Sequence, residues 1–269
     1  MALEITMSDP RESAAALLAW YVEAGVDIAI DDEPHDHFAP APVAAPAVVA
    51  APSAATPVPV RPANALPSPE EAAQSARLLA PSAATLEELK EMLLHFDGCA
   101  LKGTATQLVF GDGDPSARVM LVGEAPGRDE DLEGRPFVGR SGQLLNRMLA
   151  AIGLRRAEVY IANVVPWRPP GNRTPTPQET AICRPFIERQ IALVDPKVLV
   201  CLGGPSAQTL LNQRDGILRL RGNWFDFDAG GKRVKALASL HPAYLLRQPS
   251  QKKLAWRDFR AVRKVLDEA

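Results

Sequence analysis

The stretch Arg118–Gly142, RVMLVGEAPGRDEDLEGRPFVGRSG, decides how the chain is read. Arg118-Val-Met-Leu-Val122 is a short apolar run of strand-forming residues, and Val122–Gly142 follows it as a charged segment pinned by glycine and proline. Next comes an amphipathic helix with Leu144, Leu145, Met148, Leu149 and Ile152 on one face and a stop at Gly153. Strand, charged loop and helix in that order describe the carboxyl end of a strand in an open α/β sheet, the edge where such sheets bind ligands. Val122–Gly142 is therefore expected to be an active-site loop.

The alternation continues outward. Strand-like runs at 106–110, 118–123, 158–165, 197–202 and 233–239 are separated by helical patterns at about 141–152, 177–194, 205–212 and 250–267. The fold class is α/β, with three α/β/α layers around a central, mainly parallel sheet. Helix starts are marked by Ser68-Pro-Glu-Glu71 and by capping-box spacings at Thr85–Glu88 and Thr176–Glu179. The helix after Thr85 runs through Leu89, Leu93 and Leu94, with Gly98 placed to end it.

Residues 1–33 contain an amphipathic helix built on Leu17, Leu18, Tyr21 and Val22, which packs on the body or contacts another protein. Residues 34–69 hold ten prolines and read as an extended, semi-rigid linker. The catalytic domain is expected over 70–269. His35 and His37 lie in an acidic patch with no further ordered ligands for a metal.

Residues 1–90 carry 4 basic and 13 acidic side chains, a net of −9, whereas residues 91–269 carry 26 and 19, a net of +7. A basic C-terminal part suits a polyanionic partner. No run approaches the roughly 20 apolar residues needed to cross a bilayer, and the start MALEITMSDPRES is not a signal segment, so a soluble, cytoplasmic protein without membrane contact is expected. Cys99, Cys183 and Cys201 form no CxxC pair.

The loop GEAPGRDED lacks the glycine pattern of dinucleotide folds and the lysine of phosphate loops, and the acids Asp129–Asp131 would repel phosphate, so they read as a solvated loop. Glu124 follows the apolar strand directly, where a carboxylate is costly to desolvate and can orient water or stabilise positive charge on a sugar. Phe137 sits where a ring can stack on a flat base. Asn163 ends an apolar strand, and its amide offers a donor beside an acceptor, the pattern that suits N3–H and O4 of uracil. Arg168, Asn172 and Arg173 on the following proline-rich loop suit phosphate oxygens. His241 stands at another strand end and can donate to a departing oxyanion; Tyr244, Leu245 and Leu246 beside it have the character of a wedge between bases, with Arg247 next to them.

Three segments, GEAPGRDEDLEGRPFVGRSGQLLNRMLAAIGL, VYIANVVPWRPPGNRTP and HPAYLLRQPSQKKLAW, resemble the family 4 uracil-DNA glycosylases, over about Phe96 to Val265. The resemblance implies hydrolysis of the N-glycosidic bond of uracil in single- or double-stranded DNA by a monomer. It places Glu124 and Ala125 in the loop facing water and sugar, Phe137 on the flipped base, Asn163 on its edge and His241 at the leaving group. No lysine occurs in the matching pocket positions, so a hydrolase without a lyase step is expected.

There are two departures. Members of that family hold a [4Fe–4S] cluster on four cysteines, and the matching positions here are Phe96, Cys99, Trp167 and Cys183; two thiolates do not fill a four-ligand site, so no cofactor or metal is expected. Ala125 stands where glycine is common. A non-catalytic DNA-binding or scaffold protein derived from the same fold is the alternative reading.

Overall fold

A computed structural model describes residues 67–268. The expected N-terminal helix at 1–33, nearly all of the linker, and His35 and His37 lie outside the described residues.

The sheet has six strands: β1 Asp112–Gly113, β2 Val119–Gly123, β3 Tyr160–Asn163, β4 Val198–Leu202, β5 Trp224–Asp228 and β6 Arg233–Ser239. They lie in the order β1-β3-β2-β4-β6-β5, parallel from β3 through β6 and antiparallel at both edges. The mainly parallel sheet is thus as expected. The strand at 106–110 is not. These residues run irregularly, because the Asp131 carboxylate takes the Thr106 amide at 2.9 Å and Val109 donates to the Pro166 carbonyl at 2.9 Å, so their backbone groups pair outside the sheet. The unexpected β5 alternates aromatic and acid residues before a turn at Gly230 and Gly231, whose φ values of 70° and 92° suit glycine.

Side chains alternate across the sheet, and each set finds its own helices. Met120, Val122, Tyr160, Ala162, Leu199, Cys201, Ala236 and Ala238 share a core with α1 (Pro69–Leu79), α2 (Leu86–His95) and α5 (Pro177–Val194). Val119, Leu121, Ile161, Val198, Val200 and Leu237 pack with Leu145 and Leu149 of α4 (Arg140–Ala151) and with Phe259, Val262 and Leu266 of α9 (Lys252–Glu268). These are three layers, α/β/α. Short helices α3 (Arg128–Glu133), α6 (Gly204–Leu211), α7 (Ile217–Leu220) and α8 (Pro242–Arg247) follow strands or lead between them.

Ser68 and Thr176 form complete capping boxes with Glu71 and Glu179. At Thr85 the box is partial: its hydroxyl takes the Glu88 amide, but the Glu88 carboxylate reaches Ala84 N at 2.6 Å. That helix ends at His95, before Gly98.

The connection from β2 leads to one side of the sheet and that from β4 to the other, so the crevice at the topological switch lies at the carboxyl ends of the central strands.

Candidate active site

A cleft of about 610 Å³ opens there. Four adjacent parallel strands each deliver lining residues just past or at their carboxyl ends: Glu124 after β2, Asn163 in β3, Gly203 after β4 and His241 after β6. Pairing of β2 with β3 continues beyond the strands, with Val164 N donating to Gly123 O and Val165 N to Glu124 O, both at 3.0 Å, and this fixes where Glu124 leaves the sheet.

Glu124 is half-buried; burial raises its carboxyl pKa, and a hydrogen bond with Thr174 offsets part of that. Its Oε1 and the Oδ1 of Asn163 are buried acceptors without a hydrogen-bond partner among the described residues. Such atoms are costly unless a ligand meets them. Asn163 is 4% exposed, and its Oδ1 lies over Gly123, where a Cβ would come within 2.5 Å of it and 2.7 Å of the Phe137 ring. Glycine at 123 lets both groups close on the floor of the cleft.

His241 is its own helix cap. Its Nδ1 accepts from the Ala243 amide at 3.1 Å, so in the neutral ring the proton sits on Nε2. Burial, aided by the positive charge of Arg247, pushes its pKa down to about 4. At neutral pH the imidazole is therefore an uncharged donor. Phe137 stands beside it, ring centroids 5.4 Å apart and planes tilted by 33°.

Glu124, Ala125, Phe137, Asn163, Asn172, Arg173, His241, Tyr244 and Arg247 all line the cleft. Arg168, Leu245 and Leu246 do not. Leu245 is 1% exposed and packs with Leu240 and Ala255, so it is core and unavailable as a wedge; Leu246 is exposed and Tyr244 half-buried. The arginines expected to meet phosphate already have partners. Arg173 grips Glu179 through both terminal nitrogens at 2.8 and 2.6 Å, and Arg168 donates to Asn172 at 2.7 Å and lies 3.9 Å from Asp131.

Asp129–Asp131 is not the solvated loop expected from its charge. These residues belong to α3, and two of them face inward. Glu130 accepts from the amides of Gly127, Val138 and Gly139 at 3.0 to 3.1 Å, tying both ends of the loop together. Asp131 takes the Thr106 amide and hydroxyl at 2.9 and 2.8 Å. Glu at the third position of a helix that starts at a glycine was the available signal, weakened by the missing serine or threonine cap.

Phe96, Cys99, Trp167 and Cys183 are all buried in the core that the sheet shares with α2 and α5. Phe96 packs edge-on against Phe186 at 5.0 Å, Trp167 is 2% exposed, and the Cys99 and Cys183 sulfurs are 3.9 Å apart. Two thiols, with phenylalanine and tryptophan at the other two matching positions, do not fit an iron–sulfur cluster, which needs four ligands. Cys201 is deep in β4, and burial raises its thiol pKa to about 12.

A three-layer α/β/α fold with polar side chains from three strand ends converging in one cleft is an architecture suited to a DNA glycosylase. The profile of the Uracil DNA glycosylase superfamily matches residues 110–260, and the chain belongs to that family. It is 43% identical over 182 residues to a type-4 uracil-DNA glycosylase of Archaeoglobus fulgidus, covering 66% of this chain and 92% of that protein. A type-4 enzyme of Thermotoga maritima is 43% identical over 61% of this chain and 85% of its own length. A type-5 uracil-DNA glycosylase of Thermus thermophilus is 36% identical over 38% of this chain and 53% of its own.

Proposed function

We propose that the protein hydrolyses the N-glycosidic bond of uracil in DNA, leaving an abasic site. The observation that carries this reading is the convergence in one cleft of an unpartnered Asn163 amide oxygen, a neutral Nε2–H on His241 and the half-buried Glu124 carboxylate. An extruded uracil donates its N3–H to Asn163 Oδ1 and stacks on Phe137. As the glycosidic bond lengthens, negative charge grows on the pyrimidine oxygen and positive charge on the sugar. The His241 Nε2–H stabilises the former without first giving up a proton, and ionised Glu124 stabilises the latter and orients water.

Among the described residues no lysine lines the cleft, which supports hydrolysis without a Schiff-base step. The aromatic packing of Phe96 and Trp167 supports a domain that works without an iron–sulfur cluster. Arg247 and Asn172 at the rim, with exposed Leu246 nearby in sequence, are the side chains best placed to meet the DNA strand. The enzyme acts as a cytoplasmic monomer.

The direct test is incubation with an oligonucleotide carrying one uracil, followed by alkali. Strand cleavage at uracil that requires alkali is expected; intact strands after prolonged incubation would favour a non-catalytic DNA-binding protein.

A further inference from the structure

We infer that Arg156 is a positioning residue for the Phe137 ring, an inference that rests on the stacking role proposed for Phe137. Phe137 is a non-glycine residue in the left-handed region, with φ of 54°, and such a backbone persists only where its surroundings hold it. The Arg156 guanidinium supplies that hold. Its Nη1 donates to the Phe137 carbonyl at 2.9 Å and its Nη2 to the Pro136 carbonyl at 2.6 Å, while its Nε donates to Asp112 of β1 at 2.7 Å. One planar fork thus ties the loop to the edge of the sheet.

The other flank of Phe137 is held by opposite charge. The Glu130 carboxylate accepts from Val138 N at 3.0 Å and Gly139 N at 3.1 Å. Carbonyls up to Phe137 are gripped by a cation, and amides after it by an anion. Gly142 closes the third side, since a Cβ there would lie 1.8 Å from the Phe137 oxygen. Arg156 is outside the cleft lining, so it acts on the base only through Phe137. A lysine at 156 could keep one contact but not the fork, because its ammonium is a point donor.

The test is a double-mutant cycle read on uracil excision. Arg156→Gln and Arg156→Lys should each lower kcat/KM by about tenfold or more, mostly through KM, and weaken inhibition by free uracil in parallel. In a Phe137→Ala background the same substitutions should change kcat/KM by less than about threefold, because the group they position is gone. Thermal unfolding checks each variant, and the lysine variant decides the matter if the glutamine variant does not fold. Arg156 variants within about twofold of the parent, or a loss undiminished without the ring, would overturn the inference alone. Full activity in Phe137→Ala would overturn the stacking role and the inference together.

Discussion

Phe137 and His241, 104 positions apart in the chain, face each other across the floor of the cleft with ring centroids 5.4 Å apart. One comes from a loop after β2, the other from the cap of α8 after β6, and Gly123 lies beneath the Phe137 ring. Gly123→Ala would drive a methyl into both the ring and Asn163 Oδ1. Excision should fall by about tenfold to a hundredfold, the cost of moving reacting groups by about an ångström, with little change in the circular dichroism spectrum. An active Gly123→Ala enzyme would show that the floor can shift.

The role proposed for Glu124 makes it the group that sets the acid limb of the pH profile. Burial raises its pKa, so the carboxylate proposed to serve the sugar is lost as pH falls through a value above the ordinary 4.5. The kcat/KM profile should therefore fall on the acid side at a pH above 4.5, and the residual activity of Glu124→Gln should lack that limb. An unchanged limb in the variant would assign it elsewhere.

His241 also couples stability to pH. Its folded pKa, about 4, lies below its ordinary 6.5, so between these values the unfolded chain binds the proton and the folded one does not. Stability from this residue is complete above pH 6.5 and declines as pH falls toward 4. The loss is on the order of 2 to 3 kcal/mol across that range. Urea unfolding of the parent and His241→Gln at several pH values checks it: the difference in slope should be confined to this window.

The aromatic plug should carry the load that a cluster carries elsewhere. Purified protein is expected to contain no stoichiometric iron or sulfide. Trp167→Ala, which empties a fully buried site, should cost about 3 to 5 kcal/mol by denaturant unfolding. Stoichiometric iron, or a Trp167→Ala protein as stable as the parent, would contradict the packing account.

Much of this was legible in the chain because hydrophobic periodicity and capping are local. The four parallel strands and the helices between them, and the placement of Glu124, Asn163 and His241 at strand ends, follow from runs such as VMLVG and VLVCL and from boxes such as Thr176–Glu179. What was not legible depends on partners distant in sequence. The acids of α3 look like a solvated run until Gly139 and Thr106 supply their amides. Leu245 looks like a wedge residue until Leu240 and Ala255 enclose it. Arg173 looks free for phosphate until Glu179 of the capping box takes it. The edge strand β5 was readable from its alternation and Gly-Gly turn, and was masked by its two exposed acids.

A neutral His241 and Asn163 are proposed to act together on a flipped uracil, and single-turnover excision from a uracil-containing duplex tests this most directly. His241→Ala and Asn163→Ala should each slow the step by about a hundredfold to a thousandfold, as loss of a transition-state donor or of base recognition does, while binding to uracil-free DNA is unchanged. Excision by either variant at the rate of the parent would contradict the account.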